Sequence, residues 1–219
     1  MNKVLITGAN RGIGLELARQ LVDRGDQVIA VCRQSAGQLS DLDLNVIEGI
    51  DVNDPESVRG LQNNPEIEGL DWLINNAGIL SVETLESLDF DAMERQFSVN
   101  ALGPLRVTQA LLPVLGPGSK IGIVTSRMGS VEDNSSGGYY GYRMSKAAVN
   151  MAGRSLAYDL EERRIAVGLL HPGMVATDMT GGRGVPVAES AAGLIRRMDE
   201  LTMTNSGSFL HANGERLPW

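Results

Sequence analysis

The chain has 219 residues, with 19 Lys and Arg against 27 Asp and Glu, and it contains one Cys. This length suits one α/β domain, the single Cys excludes a disulfide framework, and no Cys/His cluster has metal-ligand spacing. The formal charge of −8 argues against a nucleic-acid partner, because binding to a phosphate backbone requires clustered Lys and Arg.

The N-terminal half of the chain alternates between strand and helix patterns. Short apolar runs rich in β-branched residues predict strands at residues 3–7, 27–32, 44–48 and 71–74. Apolar residues at helical spacing predict a helix over residues 13–24. Asp54 and Pro55 are typical of an N-cap and first turn, and they open a helix that runs to about residue 63. Residues 34–41 leave room only for a short helix or a loop.

The C-terminal half continues the alternation. Helices are predicted at residues 90–100, 104–115, 139–163 and 188–201. Strands are predicted at residues 120–125, 165–170 and 207–210. Residues 130–138 and 172–187 are rich in Gly and polar residues and are predicted to be loops.

This alternation predicts an α/β fold, with one doubly wound, Rossmann-like domain over residues 1–219. Its parallel sheet should have about seven strands with helices on both faces, and its ligands should bind beyond the carboxyl ends of the strands. No apolar run approaches the ~20 residues of a membrane span, and no secretory leader pattern opens the chain. We therefore expect a cytosolic (cytoplasmic) protein with no membrane partner.

Three glycines lie between the first predicted strand and the helix that follows, in the stretch TGANRGIG at residues 7–14. A tight turn needs a residue without Cβ, and a backbone that approaches a pyrophosphate needs another. The helix start adds free N–H groups and a positive dipole end. The spacing is not the usual G-x-G-x-x-G fingerprint, so a Gly-rich turn that binds nothing remains the alternative at this point.

The turn resembles the TGxxxGxG motif of the short-chain dehydrogenase/reductase family. Five further stretches match the family in order: NNAG at 75–78, Asn100 in SVNALG, Ser126 after IGIVT, Tyr142-x-x-x-Lys146, and Pro172-Gly173 followed by Thr177. The resemblance covers most of the chain. It implies an oxidoreductase that uses a nicotinamide cofactor and interconverts carbonyls and alcohols.

The resemblance also implies which residues form the site. The catalytic set is Asn100, Ser126, Tyr142 and Lys146. The cofactor-binding set is Gly8, Asn10, Arg11, Gly12, Ile13, Gly14, Arg33, Asp51, Val52, Asn76, Ala77, Gly78, Tyr142, Lys146, Pro172, Gly173, Val175 and Thr177. No metal is implied.

The spacing of Tyr142 and Lys146 has a chemical purpose. Residues four apart share a helix face, and a cation beside a phenol lowers its pKa of about 10. Tyr142 can then be a general acid in carbonyl reduction and a general base in alcohol oxidation. Neither Tyr139 nor Tyr140 has a Lys four residues later. By resemblance, Asn100 holds a water molecule that links Lys146 to solvent.

Two serines compete for the substrate oxygen. Ser126 directly follows a predicted strand and opens a Ser-x-x-Gly stretch that ends at Gly129, but it lies sixteen residues before Tyr142, where the family often has about thirteen. Ser130 lies twelve before. We favour Ser126 as the hydrogen-bond donor to the substrate oxygen, with the extra residues placed in the loop 132–138.

The cofactor is expected to be NADP(H). A carboxylate at the end of the second strand is typical of NAD sites, but here Cys32 stands at that position and Arg33 follows. Arg11 in the turn adds a second cation, and Arg binds phosphate well through paired hydrogen bonds. The alternative is two ordinary surface arginines. Asp51 resembles the family's adenine contact.

The sequence specifies the substrate-binding residues less well than the cofactor-binding residues. Residues 174–188 are predicted to form a short flap, with Met174, Val175 and Met179 as candidate apolar lining. The stretches SRMGSV, GGYYGYRMSKAAVNM and LPW resemble the carbonyl-reductase subgroup that includes sniffer-like and C-factor-like proteins. The sequence therefore predicts an NADPH-dependent reductase of small carbonyl compounds. The alternative is a non-catalytic or weakly catalytic nucleotide-binding signalling protein on the same fold.

The resemblance further implies a homodimer, with a tetramer as the alternative. The predicted helices at 104–115 and 139–163 would pair across a two-fold axis. Small and apolar residues such as Met144, Ala148, Met151 and Ala152 lie along the second of these helices.

Overall fold

The sheet is parallel throughout. The computed structural model describes residues 1–35 and 37–219, so Ala36 in the predicted 34–41 segment lies outside the described residues. Within those ranges the strands are β1 (Lys3–Thr7), β2 (Gln27–Val31), β3 (Asn45–Ile47), β4 (Leu70–Asn75), β5 (Leu115–Val124), β6 (Ala166–His171) and β7 (Ser208–His211). They form one seven-stranded sheet in the order β3-β2-β1-β4-β5-β6-β7. The predicted doubly wound sheet of about seven strands is confirmed.

Helices cover both faces of this sheet. They are α1 (Gly12–Asp23), α2 (Gly37–Ser40), α3 (Pro55–Arg59), α4 (Phe90–Phe97), α5 (Gly103–Leu111), α6 (Tyr140–Asp159) and α7 (Val187–Glu200). Successive residues of a strand point to opposite faces, so Val4 and Ile6 of β1 join the core under α1 and α7, while Leu5 joins the core under α5 and α6. The sheet is therefore buried on both sides, which explains its nearly continuous apolar strands.

Several element boundaries differ from the prediction. Strand β5 begins at Leu115 rather than at residue 120, because Leu115 pairs with Leu70 before the register shifts between Leu70 and Trp72. The Gly and Pro residues at 116–118 are typical of turns, so the sequence does not predict a strand there. Helix α5 correspondingly ends at Leu111, and α6 ends at Asp159 rather than at residue 163.

The helices α4 and α5 are joined without a break in helical backbone. A π-helical turn, Ser98–Leu102, connects them and contains Asn100. Pro104 has no N–H, so it cannot donate the usual helical hydrogen bond to the carbonyl of Asn100, four residues earlier. Such widened turns are frequent at functional sites, and this one carries one of the predicted site residues.

Candidate active site

A cavity of about 740 Å³ lies beyond the carboxyl ends of the strands. The strand order reverses between β1 and β4, and in open parallel sheets a crevice forms at such a reversal. The residues after β1, β2, β4 and β5 all contribute to the cavity lining. The fold therefore places one elongated site where ligands of doubly wound sheets bind.

The Gly-rich turn forms one wall of this cavity. Gly8 and Gly12 both have positive φ, +65° and +54°, and a Cβ on Gly8 would lie 2.9 Å from the Cα of Ala77. The Thr7 hydroxyl accepts hydrogen bonds from the backbone N–H groups of Asn76 and Ala77, each at 3.1 Å. Helix α1 begins at Gly12, so its free N–H groups face the cavity. The turn is held against the end of β4, with free N–H groups at the cavity wall.

One end of the cavity carries the residues that were expected to contact the adenosine ribose. Cys32 and Arg33 line it, and the Asn10 side-chain amide donates to the Gln34 carbonyl at 2.9 Å. Burial, followed by the nearby charge of Glu48, raises the pKa of the Cys32 thiol. The Glu48 carboxylate accepts the Ser35 N–H at 2.9 Å, and the sequence reasoning overlooked it.

Tyr142 and Lys146 line the opposite end of the cavity. Both are buried near the start of α6, and the Lys146 Nζ lies 5.7 Å from the Tyr142 ring centroid. Lys146 Nζ donates to the Val124 carbonyl at 3.0 Å. Ser126 lies near the Tyr142 phenol, and its hydroxyl accepts the Met128 N–H at 3.1 Å. These contacts bring strand β5, the turn after it and helix α6 together at one point.

Ser130 is engaged elsewhere. Its hydroxyl donates to the Trp219 carbonyl at 3.0 Å and accepts the Asp133 N–H at 3.1 Å. The structure therefore separates the two competing serines, and it places Ser126 beside Tyr142.

Asn100 lies behind the cavity wall rather than on it. Its Oδ1 accepts the Ile79 N–H at 2.9 Å, and its Nδ2 donates to the Ile79 carbonyl at 2.8 Å and to the Ser145 hydroxyl at 3.0 Å. A Cβ on Gly78 would lie 3.3 Å from Asn100 Oδ1 and 3.8 Å from Lys146 Nζ. Gly78 is therefore the spacer between these two polar groups.

Burial determines the protonation of the two central groups. It is the main cause that raises the pKa of the Tyr142 phenol, and the nearby Ser126 side chain opposes it. Burial lowers the pKa of Lys146 to about 8. In place of the lowering expected beside Lys146, burial raises the Tyr142 pKa above its ordinary value, and the phenol is protonated at neutral pH.

Most predicted cofactor residues do line the cavity. The exceptions are Gly14, Gly173 and Val175. Gly14 lies behind the turn against the Gly8 carbonyl, and Val175 is a buried residue of the flap that pairs with Val185. The lining residues that the sequence reasoning missed are Val31, Ile50, Ile79, Leu80, Val99, Val124, Thr125 and Asp178. Each lies beside a recognised motif or at the end of a strand, and this position in the sequence could have identified it as a lining residue.

The flap forms the mouth of the cavity. Met179 and Asp178 line it, whereas Met174 is more than half exposed. Arg11 and Asp178 form an ion pair at 3.8 Å between the Gly-rich turn and the flap. Both side chains are largely exposed, so this pair adds little stability.

Two kinds of site are not found in the part of the chain that the structure describes. Within residues 1–35 and 37–219, no group of three or more His, Cys, Asp and Glu side chains could hold a metal ion. Across the same residues, no helix combines the length and apolarity of a membrane span.

Comparison with known proteins connects this geometry to a family. A sequence model described as short chain dehydrogenase matches residues 2–185. The 1-hydroxy-2-glutathionyl-2-methyl-3-butene dehydrogenase of Rhodococcus sp. (strain AD45) is 45% identical, over the full length of both chains. The C-signal protein of Myxococcus xanthus is 47% identical over 154 residues, which are 68% of this chain and 93% of that protein.

Solved structures agree over the whole chain. The carbonyl reductase Sniffer of D. melanogaster superposes with a TM-score of 0.93 at 31% identity, covering 100% of both chains. The NADPH-bound carbonyl reductase from chicken fatty liver superposes with a TM-score of 0.90 at 31% identity, covering 100% of this chain and 99% of the other.

The turn after Ser126 gives a testable packing constraint. A Cβ on Gly129 would lie 2.5 Å from the Lys146 backbone carbon and 2.7 Å from its carbonyl oxygen. We expect Gly129→Ala to lower the free energy of unfolding by about 1–3 kcal/mol, because backbone atoms of α6 must move. Gly60→Ala is the control, since nothing lies within 4 Å of that site. Urea denaturation followed by circular dichroism measures both, and equal effects would contradict the constraint.

Proposed function

This chain belongs to the short chain dehydrogenase family, and we propose that it is an NADP(H)-dependent carbonyl reductase in which Tyr142 transfers the proton. The observation that carries the proposal is the meeting of Tyr142 and Lys146, with Ser126 close by, at one end of a cavity whose wall includes the glycine-rich turn. The substrate would be an aldehyde or ketone, and the product the corresponding alcohol.

The cavity suits a phosphate-containing dinucleotide. Gly8, Gly12 and the start of α1 would hold the pyrophosphate, and Arg33 with Arg11 would bind a 2′-phosphate. Asp51 and Val52 line the cavity at the position proposed for the adenine. The NADPH bound by the chicken liver relative supports the choice of cofactor.

The proton chemistry belongs to this chain's own residues. When bound, NADPH supplies the hydride that reduces the carbonyl carbon. Ser126 would hold the carbonyl oxygen by a hydrogen bond, and Tyr142 would donate its phenolic proton to that oxygen as negative charge develops. The Lys146 ammonium would stabilise the resulting phenolate electrostatically. Asn100 would act from behind Gly78, where it fixes the Ile79 backbone and Ser145.

The runner-up is a non-catalytic or weakly catalytic signalling protein on the same fold. The observation in its favour is the 47% identity to the C-signal protein. The intact set of Ser126, Tyr142 and Lys146 favours the enzyme, because a nucleotide sensor has no need for a buried phenol beside a buried amine.

We also propose a homodimer through α5 and α6. Met144 and Met151 project from α6 into solvent with more than half of their surface exposed, which a second copy could cover. A cytosolic location remains a prediction.

The central test is turnover. NADPH oxidation is measured with a panel of aldehydes, ketones and quinones, and NADP⁺ reduction with 1-hydroxy-2-glutathionyl-2-methyl-3-butene, the alcohol in the Rhodococcus relative's name. Tyr142→Phe should lower kcat about 10²- to 10⁴-fold, because it removes the proton donor, and should still bind NADPH, because the glycine-rich turn and the arginines remain. Tyr139→Phe is the matched control. Tight NADPH binding without turnover in the wild type would favour the signalling protein.

Cofactor choice has its own test. Replacing Cys32 by Asp and Arg33 by Ser should reduce the preference for NADPH over NADH by about tenfold to a hundredfold, because a charge-assisted hydrogen bond to the 2′-phosphate is lost. Arg196→Ser removes the same charge from an exposed site on α7 and should leave the preference unchanged. The ratio of kcat/KM values for the two cofactors is the measurement. An unaltered ratio in the double variant would place the 2′-phosphate elsewhere.

The pH profile tests the state of Lys146. Its pKa is lowered to about 8, so the ammonium dominates below that pH and is lost above it. We expect kcat/KM for NADPH, which reports groups of the free enzyme, to fall about tenfold per pH unit above pH 8. Arginine keeps its positive charge over this pH range. The profile of Lys146→Arg should therefore not fall above pH 8, whatever the absolute rate of that variant. If the wild-type profile stays flat to pH 10, or if the Arg variant shows the same fall above pH 8, the Lys146 ammonium is not the group that controls the profile.

A further inference from the structure

A buried carboxylate stands at the start of the helix that carries Tyr142. Glu83 is only 1% exposed, and no Lys, Arg or His nitrogen lies within 4.0 Å of it among residues 1–35 and 37–219. A buried charge without a cation is costly unless hydrogen bonds satisfy it. The hydrogen-bond donors around Glu83 must therefore stabilise its carboxylate.

All the hydrogen-bond partners of the Glu83 carboxylate are donors. Its Oε2 accepts the backbone N–H of Gly141 at 3.2 Å, and its Oε1 accepts from the Gln96 amide at 2.7 Å and from the Ser81 hydroxyl. Gln96 in turn accepts the Ser81 N–H at 3.0 Å through its Oε1. The cluster is a closed network in which position 83 supplies acceptors only.

Glu83 also replaces the missing cap of α6. The residue before the helix, Tyr139, has a left-handed backbone with φ 53° and makes no side-chain cap. Its N–H donates to the Glu83 carbonyl at 2.9 Å, while Gly141 in the first turn donates to the carboxylate. The negative charge thus lies at the positive end of a twenty-residue helix.

The first turn of α6 is also clamped from its other side. A Cβ on Gly141 would lie 2.4 Å from the Gln96 Nε2 and 2.9 Å from the Met93 Cα, so α4 touches the backbone there. Tyr142 is the next residue. The backbone that carries its side chain is therefore held between Glu83 and helix α4, with Gln96 contacting both.

We propose that Glu83 is a positioning residue that sets the place of the Tyr142 hydroxyl in the cavity by binding the first turn of α6. This inference rests on the proposed function, in which Tyr142 is the proton donor. A small displacement of a reacting group is sufficient to slow a reaction strongly, so the effect should appear in kcat rather than in cofactor binding.

The nearly isosteric change Glu83→Gln tests this proposal. An amide at this position must turn its NH₂ group toward the Gly141 N–H or the Gln96 Nε2, which are donors, or toward the Ser81 hydroxyl, which already accepts the Gln96 Nε2 at 2.6 Å. We expect kcat for carbonyl reduction to fall about tenfold to a hundredfold, while the Kd for NADPH stays unchanged. Glu86→Gln, an exposed site three residues on, is the matched control and should behave as wild type.

A double variant supplies the rescue. Combining Glu83→Gln with Gln96→Glu exchanges donor and acceptor, so the Gly141 N–H still meets an oxygen and the network closes again. We expect this exchange to restore most of the lost kcat, whereas Gln96→Glu alone should not. Loss of buried structure without positioning would not be repaired by moving the charge between two side chains.

The outcomes separate the two proposals. If the wild type reduces carbonyls and Tyr142→Phe abolishes turnover, but Glu83→Gln keeps its kcat, Glu83 does not position Tyr142. A double variant that stays as slow as Glu83→Gln, with a wild-type melting temperature, also overturns the inference. If Glu83→Gln does not fold, Glu83→Asp replaces it, because the shorter side chain withdraws the carboxylate from the Gly141 N–H, and an unchanged kcat in that variant overturns the inference. A wild type without turnover overturns the proposed function and this inference with it.

Discussion

A buried amine beside a buried phenol is the feature around which the rest of the site is organised. Lys146 is 4% exposed, its Nζ donates to the Val124 carbonyl, and the lowering of its pKa from 10.5 to about 8 corresponds to about 3 kcal/mol against the charged form. Such a group is tolerated only where rigid surroundings hold it. The end of β5, the spacer Gly78 and helix α6 provide them, and each enters through backbone atoms.

Backbone packing also explains how distant segments form one site. The Gly-rich turn rests on Ala77, and the turn after Ser126 rests on the Lys146 backbone. In both places two main chains approach more closely than a Cβ would allow. A site built in this way has little freedom to rearrange, which suits proton transfer between groups that must remain aligned.

Much of this arrangement could be predicted from sequence, because the signals are local. The strand–helix alternation predicted the parallel sheet, and the motifs that contain Gly8, Gly12, Tyr142 and Lys146 predicted one wall and one end of the cavity. The missed features depend on partners far apart in the chain. Leu115 pairs with Leu70, and Glu83 contacts Gly141 across 58 residues. The direction of the Tyr142 pKa shift also failed to follow from spacing, since it depends on burial that only the folded chain defines.

The flap is attached differently from the rest of the cavity wall. Two backbone hydrogen bonds close its base, from Val185 N–H to the Met174 carbonyl and from Ala176 N–H to the Val185 carbonyl. Gly184 crosses directly over the Met174 carbonyl. Within the described residues, the loop between these anchors makes its hydrogen bonds to its own residues rather than to Lys146 or the rest of the sheet, so its length and composition can diverge while the buried Tyr142–Lys146 pair is preserved. Substitutions selected for new substrates, in nature or in a directed-evolution library, would therefore be tolerated best at residues 178–183.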